Sequence, residues 1–149
     1  MGAPRTRSLS VRSRQNLTET MKEEALAFAK YMVFAREARK DGRAKLASLL
    51  EKRAEQHYLK HFSQLAELLG LVGADRQDVS DAVAEESSVV DVICKLFARE
   101  AKQDGDHEVA QCLREMHGEE ALHRMEFVQA LSRLQARDKS RERSRSQRL

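Results

Sequence analysis

Apolar residues recur at three- and four-residue spacing from Asn16 to about Lys40, where Asp41-Gly42 stops the pattern. A second periodic stretch runs from about residue 43 to 69 and ends at Gly70, followed by the connector LVGADRQD with its turn-forming residue types. A third begins near Ser80 and reaches Gln103, with Asp104-Gly105 as its stop, and a fourth runs from about 106 to 136. Thr20 and Glu23 have capping-box spacing near the start of the first. The pattern predicts an all-α fold: four long helices, paired through short connections at 41–42 and 104–105 into two antiparallel hairpins that form a bundle.

The two hairpins repeat one another. FAREARKDG at 34–42 and FAREAKQDG at 97–105 agree at seven of nine positions, and the same offset of 63 pairs Ala47 with Ala110 and Leu50 with Leu113. A duplicated unit of this kind makes each half a check on the other.

Composition supports helix and redirects the charge argument. Of 149 residues none is Trp, one is Pro and six are Gly, a poor set for a sheet with many tight turns. The net charge of +3 suggests a nucleic-acid binder until it is located. Residues 1–14 and 137–149 each carry +4, so the body between them is acidic at −5. The two arms, 1–15 and 137–149, are expected to be disordered. The first is also compatible with a transit peptide or an N-myristoylation pattern. Neither arm has an aromatic residue for base stacking, so any binding of a polyanion by them is non-specific and salt-sensitive. No apolar run approaches a membrane span. Cys94 and Cys112 lack a CxxC partner, sit among apolar neighbours and read as buried thiols of a protein in a reducing compartment, the cytoplasm.

The candidate chemistry lies where acids interrupt apolar faces. Glu120 and His123 form a Glu-x-x-His pair on one helical face, with Leu113, Met116 and Phe127 on the same stripe. Glu24 is followed at helical spacing by Phe28, Tyr31 and Ala35, and Glu86 by Val89, Val90, Ile93 and Phe97. A carboxylate on a core-facing stripe must be neutralised, paired or metal-bound. The offset of 63 carries Glu120 and His123 onto His57 and Lys60, and His57 shares a stripe with Leu50, Ala54 and His61. The half-sites are therefore Glu24 with His57 and Lys60 or His61, and Glu86 with Glu120 and His123. One inward Glu from each of two helices, with Glu-x-x-His from the other two, is the pattern of bundles that hold two iron or manganese ions. Carboxylate oxygen suits either hard ion and imidazole adds a borderline donor. His107 and His117 are expected at the surface.

On the segments FAREARKDG, EKRAEQHYLKHF at 51–62 and GEEALHRMEF at 118–127, with Glu24 ten residues before Phe34 and Glu86 eleven before Phe97, the chain resembles the rubrerythrin branch of the ferritin-like superfamily over about residues 16–134. The resemblance implies a ferritin-like four-helix bundle, a homodimer, and a non-haem di-iron (or di-manganese) centre without haem or flavin. It also implies reduction of hydrogen peroxide or oxidation of Fe(II), with electrons from an external donor. Metal-ligand roles fall by position on Glu24, Glu86, Glu120 and His123; Tyr31, one stripe turn beyond Phe28, reads as core packing or, in a peroxide-reducing centre, as a nearby proton source. Relative to classical members, His57 replaces a glutamate, Lys60 replaces a histidine with His61 one residue on, and Val89 replaces a further carboxylate; a rubredoxin domain is missing from the chain. Three readings follow from the residues: a di-metal oxidoreductase, a single-metal module on Glu86, Glu120 and His123, and a metal-free interaction module.

Overall fold

The computed structural model describes residues 9–146, and the described residues are helical apart from short connections. Helix α1 is Val11–Lys40. Helix α2 spans 44–69 as Ala44–Gln56, a π-helical turn His57–Phe62 and Ser63–Leu69. Helix α3 spans 75–104 as Asp75–Ser88, a second π-helical turn Val89–Ile93 and Cys94–Asp104. Helix α4 is His107–Ser146. The chain divides after Val72 into two compact units, the α1–α2 hairpin and the α3–α4 hairpin.

Three helices end in the same way. Gly42, Gly70 and Gly105 take positive φ of 73°, 71° and 86°. At each, the amide of the next residue reaches a carbonyl five back, Arg43 to Ala38, Leu71 to Ala66 and Asp106 to Ala101, at 2.8–2.9 Å. A side chain would be strained at these φ values, which is why glycine punctuates the pattern.

The helix starts differ from those read from the sequence. Helix α1 begins at Val11, ahead of Asn16, because Ser10 caps it, its hydroxyl accepting from the Ser13 amide at 3.1 Å. Thr20 instead lies inside the helix, its hydroxyl donating to the Asn16 carbonyl. Helix α3 begins at Asp75, ahead of Ser80. Its first turn carries Asp75 and Asp78, favourable against the helix dipole, and the Asp78 carboxylate accepts from the Gly73 amide at 2.7 Å. Helix α4 continues past 136 to Ser146, where disorder was expected; no Gly or Pro follows Gly118, and Arg76 contacts Asp138 at 3.9 Å. Residues 1–8, with Arg5, Arg7 and the myristoylation pattern, and residues 147–149 lie outside the described residues.

Small side chains fill the seam within each hairpin. Ala35 and Ala38 of α1 meet Ala47 of α2, with Leu50 alongside. Ala54 and Ala66 are buried further along α2, and in the second hairpin Cys94, Ala98 and Ala110 are buried. The repeat is thus visible in packing, with Ala35 matching Ala98 and Ala47 matching Ala110. Alanine lets two helices approach closely, and bulkier residues then fall on neighbouring faces. Phe97 and Met116, expected to face the core, are 47% and 40% exposed, as is Phe34 at 48%. Cys94 is buried as expected, whereas Cys112 is exposed.

The two π-helical turns account for two irregularities in the repeat. Glu86 precedes Phe97 by eleven residues where Glu24 precedes Phe34 by ten, and the extra residue is taken up by the turn Val89–Ile93. Likewise His57 matches Glu120 at an offset of 63 but His61 matches His123 at 62, and the turn His57–Phe62 takes up that residue. In each turn an amide bonds five residues back, Ser63 to Tyr58 and Cys94 to Val89. A π turn absorbs one inserted residue while the flanking helix keeps its faces. Deleting Leu59, exposed within the first turn, should therefore convert it to regular α-helix at little cost. Circular dichroism and thermal melting are expected to find helix content retained and the melting temperature lowered by only a few degrees; loss of cooperative unfolding would contradict this.

Candidate functional site

Each hairpin assembles one cluster of possible metal donors. In the first, α1 supplies Glu24 and the π turn of α2 supplies His57 and His61. In the second, α3 supplies Glu86 just before its own π turn, and α4 supplies Glu120 and His123. Within each trio one donor atom per residue lies within 4.8 Å of the others. An ion with bonds of about 2.0–2.2 Å spans roughly 4 Å between opposite donors, so small side-chain movements would close either trio around one. Glu24, His57, Glu86 and Glu120 are partly buried, while His61 and His123 are exposed.

The first cluster converges on one oxygen. His57 Nδ1 lies 2.5 Å and His61 Nδ1 3.1 Å from Glu24 Oε2, while Oε1 has no hydrogen-bond partner among the described residues. The bond with His57 holds the Glu24 carboxyl below its ordinary value, joined by the bond with His61 and opposed by desolvation. The Tyr31 ring stands edge-on to the His57 ring, with centroids 5.3 Å apart, and the His57 and His61 rings are also edge-on, at 5.6 Å. Lys60, the residue aligned with His123 by a constant offset, is exposed and makes no ion pair among the described residues. The widened turn explains the substitution. With one extra residue in the turn, the second imidazole on the Glu24 side falls at i+4 from His57, which is His61, instead of at i+3.

The second cluster is richer in oxygen. His123 Nδ1 lies 2.9 Å from Glu120 Oε2. The approach of the Glu86 and Glu120 carboxyls raises Glu86 above its ordinary value and, together with the bond to His123, lowers Glu120. His123 is raised, first by its bond to Glu120. The Glu86 carboxyl therefore holds its proton to higher pH than an isolated carboxyl would. Two further contacts brace this end of the hairpin: Arg124 of α4 reaches Asp91 of the π turn at 2.9 Å, and Lys95 reaches the same carboxylate at 3.6 Å.

All six candidate ligands from the sequence fall into these two clusters, three in each. Neither cysteine belongs to either cluster, so the donors are carboxylate oxygen and imidazole nitrogen alone. His107 opens α4 and is exposed, as expected. His117, expected at the surface, is instead partly buried, and its Nε2 is enclosed with no hydrogen-bond partner among the described residues. Only the packing of α3 against α4 shows this. The ten-against-eleven spacing before the FAREA segments was the available signal for the π turns. No helix among the described residues is long and apolar enough to cross a membrane. Compared with known proteins, the chain matches no protein-family model and no curated protein sequence.

The pKa directions give opposite pH signatures. Glu24, lowered in the fold, contributes stability above the ordinary carboxylate range that is lost as pH falls through its lowered pKa. His123, raised from 6.5, contributes stability in acid that is lost as pH rises through its raised pKa. In NMR titration of the metal-free protein, His123 should titrate above 6.5 and return toward it in Glu120→Gln. An unchanged His123 midpoint in that variant would contradict the pairing.

Proposed function

We propose that this chain is a non-haem metalloprotein of the rubrerythrin-like kind that binds two iron or manganese ions and reduces hydrogen peroxide or oxidises Fe(II). The observation that carries this reading is the pair of Glu/His clusters, one in each hairpin at related positions of the repeat, each with three donors gathered from two helices. The donor chemistry fits. The first cluster offers two imidazoles and one carboxylate, a set associated with Fe(II), and the second two carboxylates and one imidazole, suited to iron or manganese. Two ferrous ions would supply the two electrons that, with two protons, take hydrogen peroxide to two waters, and an external donor would restore them.

The chain's own residues would do the rest. His57 and His61 hold the Glu24 carboxylate in place and keep it ionised to low pH, so it is ready to bind a cation. Glu86 and Glu120 bring two carboxyls to one place beside His123, an oxygen-rich set that would hold a cation. Tyr31, whose ring packs edge-on against His57, would be the phenolic proton donor in this reading. The ferritin-like bundle and the homodimer belong to the same proposal. Leu26, Met32, Phe34, Phe97, Met116 and Met125 are 40–58% exposed, and a bundle, completed within one chain or between two copies, would cover such side chains.

One observation favours a second reading, a metal-free or single-metal interaction module: in each cluster a carboxylate is already paired with imidazole, through the Glu24–His57, Glu24–His61 and Glu120–His123 bonds. Anaerobic loading with Fe(II) and elemental analysis separates the readings. About two iron ions per chain, oxidised on adding hydrogen peroxide, are expected under the proposed function. A ratio near one selects the single-metal module, and a ratio near zero overturns the metal reading.

A further inference from the structure

Outside the two clusters, the α3–α4 hairpin has a groove of about 460 Å³ lined by Cys94, Lys95, Ala98, Arg99, Lys102, Arg114 and His117. Four of the seven are cationic and none is acidic. Lys95 is already engaged by Asp91 at 3.6 Å, whereas Arg99, Lys102 and Arg114 make no ion pair among the described residues. The buried Cys94 and Ala98 line the groove between these charges, and the enclosed Nε2 of His117 has no hydrogen-bond partner among the described residues. An enclosed ring nitrogen without a partner is costly, and the exposed like charges around it repel one another, though solvent screens them.

The internal repeat shows what is missing. At the offset of 63, Lys102 corresponds to Arg39, Arg114 to Glu51 and His117 to Ala54. In the first hairpin Arg39 and Glu51 form a two-pronged ion pair between the helices, with Nε–Oε1 at 2.9 Å and a second contact at 2.5 Å, and Ala54 is fully buried beside it. The second hairpin has replaced the carboxylate with a guanidinium and the methyl group with an imidazole. A built-in anion is lost and two nitrogen-donor side chains are gained, so the second hairpin leaves open to an external anion the place its counterpart fills with its own carboxylate.

We propose that this groove binds the phosphate group of a small molecule. With Arg99, Lys102 and Arg114 free of acids, a dianion balances the site better than a carboxylate does. Phosphate also has enough acceptor oxygens to engage two guanidiniums and an ammonium together with an N–H of the His117 ring. The volume lies in the range of small-molecule sites and exceeds that of phosphate itself, leaving room for the group that carries it against Cys94 and Ala98. Along α3 the groove runs from Cys94 to Lys102, beginning eight residues past Glu86, about 12 Å along the helix at about 1.5 Å per residue, so this site is displaced along the hairpin from the metal-donor cluster.

The test is calorimetric titration of the full-length, chelator-treated protein with inorganic phosphate and with phenyl phosphate, using benzoate as a monoanionic control. One-to-one saturation by both phosphates, with benzoate much weaker, is expected. Arg114→Glu, which recreates the ion pair of the first hairpin, should weaken binding at least about tenfold, and His117→Ala, which recreates Ala54, severalfold. Both variants should keep the helix content and iron uptake of the parent. Arg141→Glu, in the C-terminal stretch, should leave affinity unchanged. Absence of saturation in the millimolar range would overturn the proposal, as would binding indifferent to Arg114→Glu, or benzoate binding as tightly as phosphate. A loss in Arg141→Glu equal to that in Arg114→Glu would also overturn it, assigning the binding to that stretch.

Discussion

An α-helix turns by about 100° per residue, so a single inserted residue sends every later side chain to a different face unless the helix widens locally. Both candidate clusters depend on such widening. In α2 the turn His57–Phe62 keeps Ala47 and Ala54 in the seam on one side and Ala66 and Leu69 buried on the other, while it presents two histidines to one carboxylate of α1. In α3 the turn Val89–Ile93 lets Glu86 keep its place opposite Glu120 while Cys94 and Ala98 stay in the seam. The π turns reconcile two demands on the same helices: regular small-residue packing along their length and polar groups gathered at one level.

The packing explains why those polar groups can be tolerated. With alanines between the helices, each hairpin has a narrow, fully buried seam and leaves its carboxylates only partly buried; Glu24 retains 20% side-chain exposure. Partial burial strengthens the hydrogen bonds within each cluster without the full desolvation cost of a dry ion pair. The pKa directions follow: Glu24 and Glu120, which accept from imidazole, are lowered, and Glu86, which meets another carboxyl, is raised. The hairpins have since diverged in donor set, nitrogen-rich in the first and oxygen-rich in the second, and in the polar contact beside the seam, an Arg39–Glu51 pair in the first and a group of cations in the second.

Much of this was legible in the sequence because it rests on local rules. The three glycine stops followed from turn chemistry, and the six donor residues from carboxylates and histidines on apolar stripes. The helix starts at Val11 and Asp75 were missed because the side chains that fix them, the Ser10 cap and Asp78 reaching back to the Gly73 amide, lie outside the apolar periodicity. The choice between Lys60 and His61 stayed open because a constant offset was carried through an irregular turn; the eleven-residue spacing before Phe97 showed that the offset was not constant. His117 was misplaced, and the groove unseen, because both depend on which side chains of α3 face which of α4. Cys112 was misplaced for the same reason: apolar sequence neighbours do not settle the side of a helix on which a residue lies.

The central claim is that each hairpin holds one metal ion through its own trio. Co(II) titration, followed by visible absorption, of the parent and of His61→Ala and His123→Ala measures this directly. The account predicts saturation at about two ions in the parent and about one in each variant, with different residual spectra because the donors left differ, nitrogen-rich in one and oxygen-rich in the other. Parent and variants taking up the same number of ions with the same spectrum would contradict it.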